Sequence, residues 1–168
     1  MAVRHRLIRT SPHTVWAVLA DGTRYAEWVV GTSSSEPVSG HWPQLGAALR
    51  YEVRFGPLRL SNNTVVRRCV PDQILELEAE AGPIGTARVA IETRPWGDHC
   101  LVIVDEHPLR GAGGLVHNVA VEALIQIRHR AMLARLARIC ESEAAEDERR
   151  RPLGQVVSPE PGTGGARA

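Results

Sequence analysis

The sequence predicts an α+β domain: an antiparallel sheet of six or seven strands, covered on one face by a single long helix, with two short helices after the first strand. Three observations carry this. Between Leu49 and Glu106 apolar and charged residues alternate with period two, broken by short Gly/Pro turns, as in antiparallel hairpins with one wet and one packed face. From Leu115 onward neither proline nor glycine interrupts the chain until Pro152, and apolar residues recur at steps of three and four, the spacing of one helical face. Helix signals between Ser11 and Trp28 separate the first strand from the rest.

At 168 residues the chain is one domain by size, long enough for a proper core. Twenty basic against nineteen acidic residues leave a formal charge of +1. Phosphate neutralisation needs a basic excess or patch, so a general nucleic-acid binder is not expected. Every basic side chain is arginine, which reads as codon bias in a GC-rich genome. No apolar run reaches the length of a membrane span and no signal peptide is legible, so the expectation is a soluble, cytoplasmic protein without stable membrane insertion. Cys69, Cys100 and Cys140 are odd in number and form no metal-ligand spacing, which makes them small buried or half-buried thiols rather than a disulfide framework.

In chain order, residues 2–9 read as the first strand. Ser11 is an N-cap with Pro12 at the first helical position, and Val15, Trp16, Val18 and Leu19 form the apolar face of a short helix. Asp21-Gly22 ends it. Asp21 or Thr23 caps a second short helix carrying Tyr25 and Trp28 on one side. A loosely written segment, residues 30–40, and a loop with Trp42-Pro43 lead into strands over 49–55, 58–66, 74–81, 87–93 and 101–106, with turns at Gly56-Pro57, Gly82 to Gly85 and Pro95 to Asp98. Alternation places Tyr51, Val53, Asn62, Thr64, Val66, Leu77, Val89 and Ile91 on the packed face. In the last strand Leu101, Val102, Ile103 and Val104 are all apolar, so the pattern cannot choose whether Asp105 or Glu106 points inward.

The long helix buries Asn118, Val121, Glu122, Ile125, His129, Met132, Leu133, Leu136, Ile139 and Cys140, while Arg130, Arg135 and Arg138 lie on the opposite side. Residues 147–168 turn highly charged, then rich in proline and glycine, and are expected to be a disordered tail after a domain spanning 1–146.

The run Ser11-Pro12-x-x-Val15-Trp16-x-Val18-Leu19-x-Asp21 followed by Arg24-Tyr25-x-x-Trp28 resembles the opening of the START-like (SRPBCC) helix-grip superfamily. More specifically, it is similar to the bacterial polyketide cyclase/dehydrase and lipid-transport group. The resemblance extends over residues 2–142 through the order of elements, the Gly56-Pro57-Leu58 turn, the Asp105-Glu106 strand end and the closing helix. It implies a curved sheet gripping the helix around a hydrophobic cavity, and it brings no universal catalytic motif. The residues point the same way, because a curved sheet cannot close fully on a straight helix. With one phenylalanine and two tyrosines in the chain, and Ala79, Ala81 and Ala87 at inward positions near turns, space is favoured over filling.

The polar inclusions are the candidate site. Glu122 and His129 are seven apart on the helix, and Glu106 or Asp105 can approach them from the last strand. Either they form an acid/base pair whose carboxylate is raised by burial, or Arg128 or His129 pairs with Asp105 or Glu106 to orient the helix. No metal is expected, since His129, Glu122 and His117 match no ligand spacing. Ser33, Ser34 and Ser35 lack a nucleophile-elbow context. The Gly111 to Gly114 loop lacks the lysine of a phosphate loop and reads as a flexible connection around Gly113 able to gate the cavity. Trp28 reads as core, Trp42 as surface packing or a lid.

The expected function is binding of a small hydrophobic or amphipathic ligand, such as a lipid, polyketide or aromatic metabolite, without a cofactor, by a monomer or weak homodimer. The lining would comprise Tyr51, Val53, Asn62, Thr64, Val66, Leu77, Val89, Ile91, Val102, Val104, Glu106, Asn118, Val121, Glu122, Ile125 and His129. One alternative is a cyclase, aromatase or dehydratase using Glu106 or His129. Another is a regulatory partner-binding protein with a vestigial cavity.

Overall fold

The computed structural model describes residues 2–55, 58–80, 85–110 and 119–150. The order is β1 (Ala2–Ile8), α1 (Pro12–Leu19), a 3-10 turn (Gly22–Arg24), α2 (Tyr25–Trp28), β2 (Thr32–Ser39), β3 (Ala48–Phe55), β4 (Leu58–Val70), β5 (Ile74–Glu80), β6 (Thr86–Trp96), β7 (His99–Arg110) and α3 (Val119–Arg150). The strands form one seven-stranded sheet in the order β1-β7-β6-β5-β4-β3-β2, antiparallel throughout. The loosely written segment before the Trp42 loop thus becomes edge strand β2. Its Pro37, which cannot donate to a ladder, suits an edge position.

The helix entry follows its local chemistry. The Ser11 hydroxyl accepts a hydrogen bond from the Thr14 backbone N–H at 3.2 Å, and Pro12 occupies the first turn, where its missing N–H costs nothing. The Asp21 carboxylate accepts from the Thr23 N–H at 3.0 Å and so starts the 3-10 turn. Within that turn Gly22 allows a close approach: a Cβ there would stand 2.7 Å from the Leu49 Cδ2 and 3.1 Å from the Trp42 ring. Arg24 then bonds Glu143 at 2.5 Å, tying the start of α2 to α3.

Helix α3 packs against β1, α1 and α2. Its buried face, Met132, Leu133, Leu136, Ala137 and Cys140, joins Ile8, Val15, Leu19 and Trp28 with Leu75, Ile91, Val102 and Val104 in one core. At about 1.5–3 kcal/mol per large apolar side chain buried, the helix is a main contributor to folding. It runs to Arg150, so residues 147–150 are helical. The turns expected at Gly56-Pro57 and over 82–84, the Gly111 to Gly114 loop and the rest of the tail lie outside the described residues.

Candidate functional site

Cross-strand register shows how the inner face is divided. At the end of the sheet nearest α1, inward residues are fully packed: Ile8 opposite Cys100, Thr93 opposite Val102, and Leu75, Ile91 and Val104 in one row, all at 0–3 % exposure. Toward the other end burial on the same face is less complete. Val89, Ala79, Ala87, Val53 and Leu60 point inward by register yet are only half-buried. Two of them are alanines paired with each other, Ala79 opposite Ala87.

Polar residues sit at the boundary between these halves. In β7 the inward set is Val102, Val104 and Glu106, with Glu106 opposite Val89. Asp105 faces the other way and approaches His107 at 3.3 Å. Of the two acidic residues the sequence left open, Glu106 is therefore the inward one. Its Oε2 lies 2.6 Å from Nε2 of His129 on α3, and the two side chains are 10 % and 1 % exposed. A charge-assisted hydrogen bond of this length belongs to the stronger class. Nδ1 of His129 is fully shielded and has no hydrogen-bond partner among the described residues.

The expectation that burial would raise the carboxylate is not met at Glu106. Desolvation pushes it up, but the hydrogen bond from His129 and the proximity of Arg128, His129 and His107 together outweigh that and hold it below the ordinary value. Glu106 thus pairs with the His129 imidazole and holds its ring in place.

Tyr51 and Asn62, directly paired on β3 and β4, form the opposite wall and are both buried. The Tyr51 hydroxyl donates to the Glu80 carbonyl, and burial pushes its pKa up to about 12, although Arg128 pulls the other way. The Thr64 hydroxyl donates to the Glu78 carbonyl at 3.2 Å. The Asn62 side chain makes no hydrogen bond with a described residue.

Other sequence-predicted site residues fall elsewhere. Val66, Leu77, Ile91, Val102 and Val104 are 0–1 % exposed, a burial that leaves no water-sized space beside them, and they serve the sealed core. Trp42 donates its indole N–H to the Leu19 carbonyl at 3.1 Å and stacks edge-on to Tyr25 at 6.3 Å, which anchors it to the end of α1. Val121, Glu122 and Ile125 lie on α3, but their side chains, like all of Asn118 and Gly113, are outside the described residues. Among the described residues no group of three or more His, Cys, Asp or Glu could hold a metal ion. No described helix is long and apolar enough to cross a membrane.

The sequence reading missed Tyr25 and undervalued Arg128. Tyr25 stands 5.6 Å from Tyr51 and 5.1 Å from Trp28, ring to ring, and its pKa is raised by burial and by Tyr51. Arg128 exerts its charge on Tyr25, Tyr51 and Glu106 alike. Only the adjacency of Arg128 to His129 could have signalled it.

A curved antiparallel sheet closed by a long C-terminal helix, with short helices after the first strand, defines a helix-grip protein. The chain belongs to the polyketide cyclase/dehydrase and lipid transport family, whose model matches residues 2–141. No curated protein matches it. Among solved structures, Ara h 8.0201 aligns with a TM-score of 0.69 at 10% identity, covering 84% of this chain and 97% of that one. The Zhui aromatase/cyclase from Streptomyces sp. R1128 aligns at 0.64 and 18% identity, over 85% and 94% of the two chains. Protein CV1439 from Chromobacterium violaceum aligns at 0.63 and 16% identity, over 83% and 96%. At these identities the likeness is one of fold.

Proposed function

We propose that the protein binds a small hydrophobic or amphipathic ligand in the interior between the sheet and α3. The observation that carries this is the division of the inner face: Val53, Leu60, Ala79, Ala87 and Val89 face inward and remain half-buried, while Val66, Leu75, Leu77, Ile91, Val102 and Val104 on the same face are buried. Apolar walls left partly uncovered inside a fold are what an apolar ligand occupies. Membership in a family that includes lipid transport supports the reading. Titration with a polarity-sensitive naphthalene fluorophore should give saturable binding. At a hundredfold excess over Kd the ligand should stabilise the fold by about 2.7 kcal/mol. Val89→Trp, which puts an indole into the open half, should weaken binding about tenfold, roughly 1.4 kcal/mol. Absence of saturable binding together with an unchanged melting temperature would refute the proposal.

A second reading, acid/base chemistry on the bound ligand, is favoured by one observation: the Glu106–His129 pair leaves one imidazole nitrogen uncommitted. In this reading His129 exchanges the proton and Glu106 holds the ring. Glu106→Gln should then reduce turnover of a cyclisable or dehydratable substrate while leaving its binding unchanged. A parallel loss of both would count against chemistry.

A further inference from the structure

We propose that the protein docks reversibly on an anionic lipid surface through the seam where β1 meets α3, with Arg4, Arg6, Arg130 and Arg138 toward the phosphates and Ile127 entering the headgroup layer. Such docking concerns the exterior of the fold and stands whether or not the interior takes a ligand.

A formal charge of +1 hides a lopsided distribution. Residues 1–20 contain three arginines and residues 123–140 four, and neither segment contains an aspartate or a glutamate. The fold packs the two segments together, β1 and α1 against α3. On the rest of the sheet arginines are largely neutralised across strands, as in Arg50 with Glu36, Arg67 with Glu78 and Arg88 with Glu76. At the seam Arg4, Arg6, Arg130 and Arg138 have no ion-pair partner among the described residues. The Nε of Arg4 is shielded and has no hydrogen-bond partner among them.

Register and helical spacing place these groups. Arg4 and Arg6 lie opposite the inward residues Val104 and Val102, so they belong to the face that α3 covers. On α3, Ile127, Arg130, Ala134, Arg138 and Glu141 recur at steps of three and four, one stripe of a helix. Glu141 accepts a hydrogen bond from the Arg9 backbone N–H at 3.0 Å, which sets that stripe along β1. The other end of the seam is fixed by Glu106, opposite Ala2 in the ladder and bonded to His129. Arg130 and Arg138 are exposed, and Ile127 is 63 % exposed. Val3 and Leu109, close in sequence to Ala2 and Glu106, are exposed as well.

Charge and apolarity together select the partner. Arginine binds phosphate oxygens bidentately, and a lipid surface also takes apolar side chains among its headgroups. A nucleic acid offers phosphates without that apolar layer, and its single strands call for aromatic platforms. The exposed tryptophan, Trp96, lies at the far end of the sheet, where β6 turns into β7. Each arginine near an anionic surface strengthens binding roughly fivefold, so four give adsorption that salt reverses. Insertion is not required, and no described helix is long and apolar enough to cross a membrane.

The test sediments the full chain with vesicles of phosphatidylcholine alone and of phosphatidylcholine with an equal part of phosphatidylserine. Binding is expected only to the second, and is expected to fall steeply as salt is raised. Arg130→Gln with Arg138→Gln, at exposed positions where glutamine keeps helix propensity, should weaken it roughly thirtyfold. Arg54→Gln with Arg68→Gln removes the same charge from exposed positions of β3 and β4 and should leave binding unchanged. Equal loss from both pairs would overturn the assignment to the seam. Ile127→Ser should weaken vesicle binding about tenfold. No binding to the phosphatidylserine vesicles would overturn the docking and leave the fluorophore titration of the interior to be judged by itself. A DNA duplex bound as tightly as the vesicles, with Ile127→Ser without effect, would overturn the lipid assignment in favour of a nucleic acid.

Discussion

Replacing Glu106 with alanine removes one member of a pair whose side chains are 10 % and 1 % exposed and 2.6 Å apart. The His129 nitrogen that bonds the carboxylate would then be buried with no acceptor, and Nδ1 is already without a partner. Breaking a buried ionic or charge-assisted pair in this way costs about 3–5 kcal/mol, against about 0–1 kcal/mol for a surface pair. The lower end is expected, because the Glu106 side chain is still 10 % exposed. In a domain of this size each kcal/mol lowers Tm by about 2–4 °C, so the fall should be roughly 6–12 °C. The assay is urea unfolding at neutral pH with the slope m checked for constancy, so that the change is read as stability. The double variant Glu106→Leu with His129→Leu should recover most of the loss, since apolar replacement of a whole buried pair is often neutral. A Glu106→Ala protein within about 0.5 kcal/mol of wild type, the size of an ordinary surface substitution, would refute the reasoning.

The remaining predictions concern pH and packing. The folded-state pKa of Glu106 is lowered, so below the ordinary carboxylate value the unfolded chain takes up a proton that the folded chain resists. Its contribution is present above pH 4.5, the ordinary value, and is lost as pH falls from there through the lowered folded value. Acid unfolding of Glu106→Gln should lack that component, and coincident acid slopes for variant and wild type would contradict it. Both tyrosines are raised, Tyr51 to about 12, so phenolate absorbance in the near ultraviolet should stay absent from the native protein at pH 10–11 and rise on unfolding. Gly22→Ala sets a Cβ 2.7 Å from Leu49 Cδ2 and should cost about 1–3 kcal/mol by overpacking. Leu49→Val in the same chain should relieve part of that cost in urea unfolding.

How far the site was legible can be followed residue by residue. Period-two alternation placed Tyr51 on the inner face between Arg50 and Glu52, and Asn62 and Thr64 in phase with Leu58 and Leu60 of their strand. In β7 the pattern went silent, since Leu101, Val102, Ile103 and Val104 are all apolar and carry no phase. Pairing with β6, which sets Glu106 opposite Val89, supplied the phase. His129 was legible as a polar residue on an apolar stripe, but its partner lies 23 residues away in sequence, and no local rule reaches that far. Trp42 could be read as a lid or as packing, and its hydrogen bond to Leu19 made it an anchor.

By itself the sequence determined the class of fold, the order of its elements, the helix cap at Ser11, and the inward placement of Tyr51, Asn62, Thr64 and His129. Those follow from local propensity and from the two periodicities, which are properties of neighbouring residues. Tertiary structure alone decided which inward residues are buried and which are half-buried. It also decided that Glu106 is held as a carboxylate against His129, and that Tyr25 and Arg128 belong to the same neighbourhood. The physical reason is that burial, desolvation and charge proximity depend on distances between chain-remote groups, and those exist only after the sheet has closed around the helix.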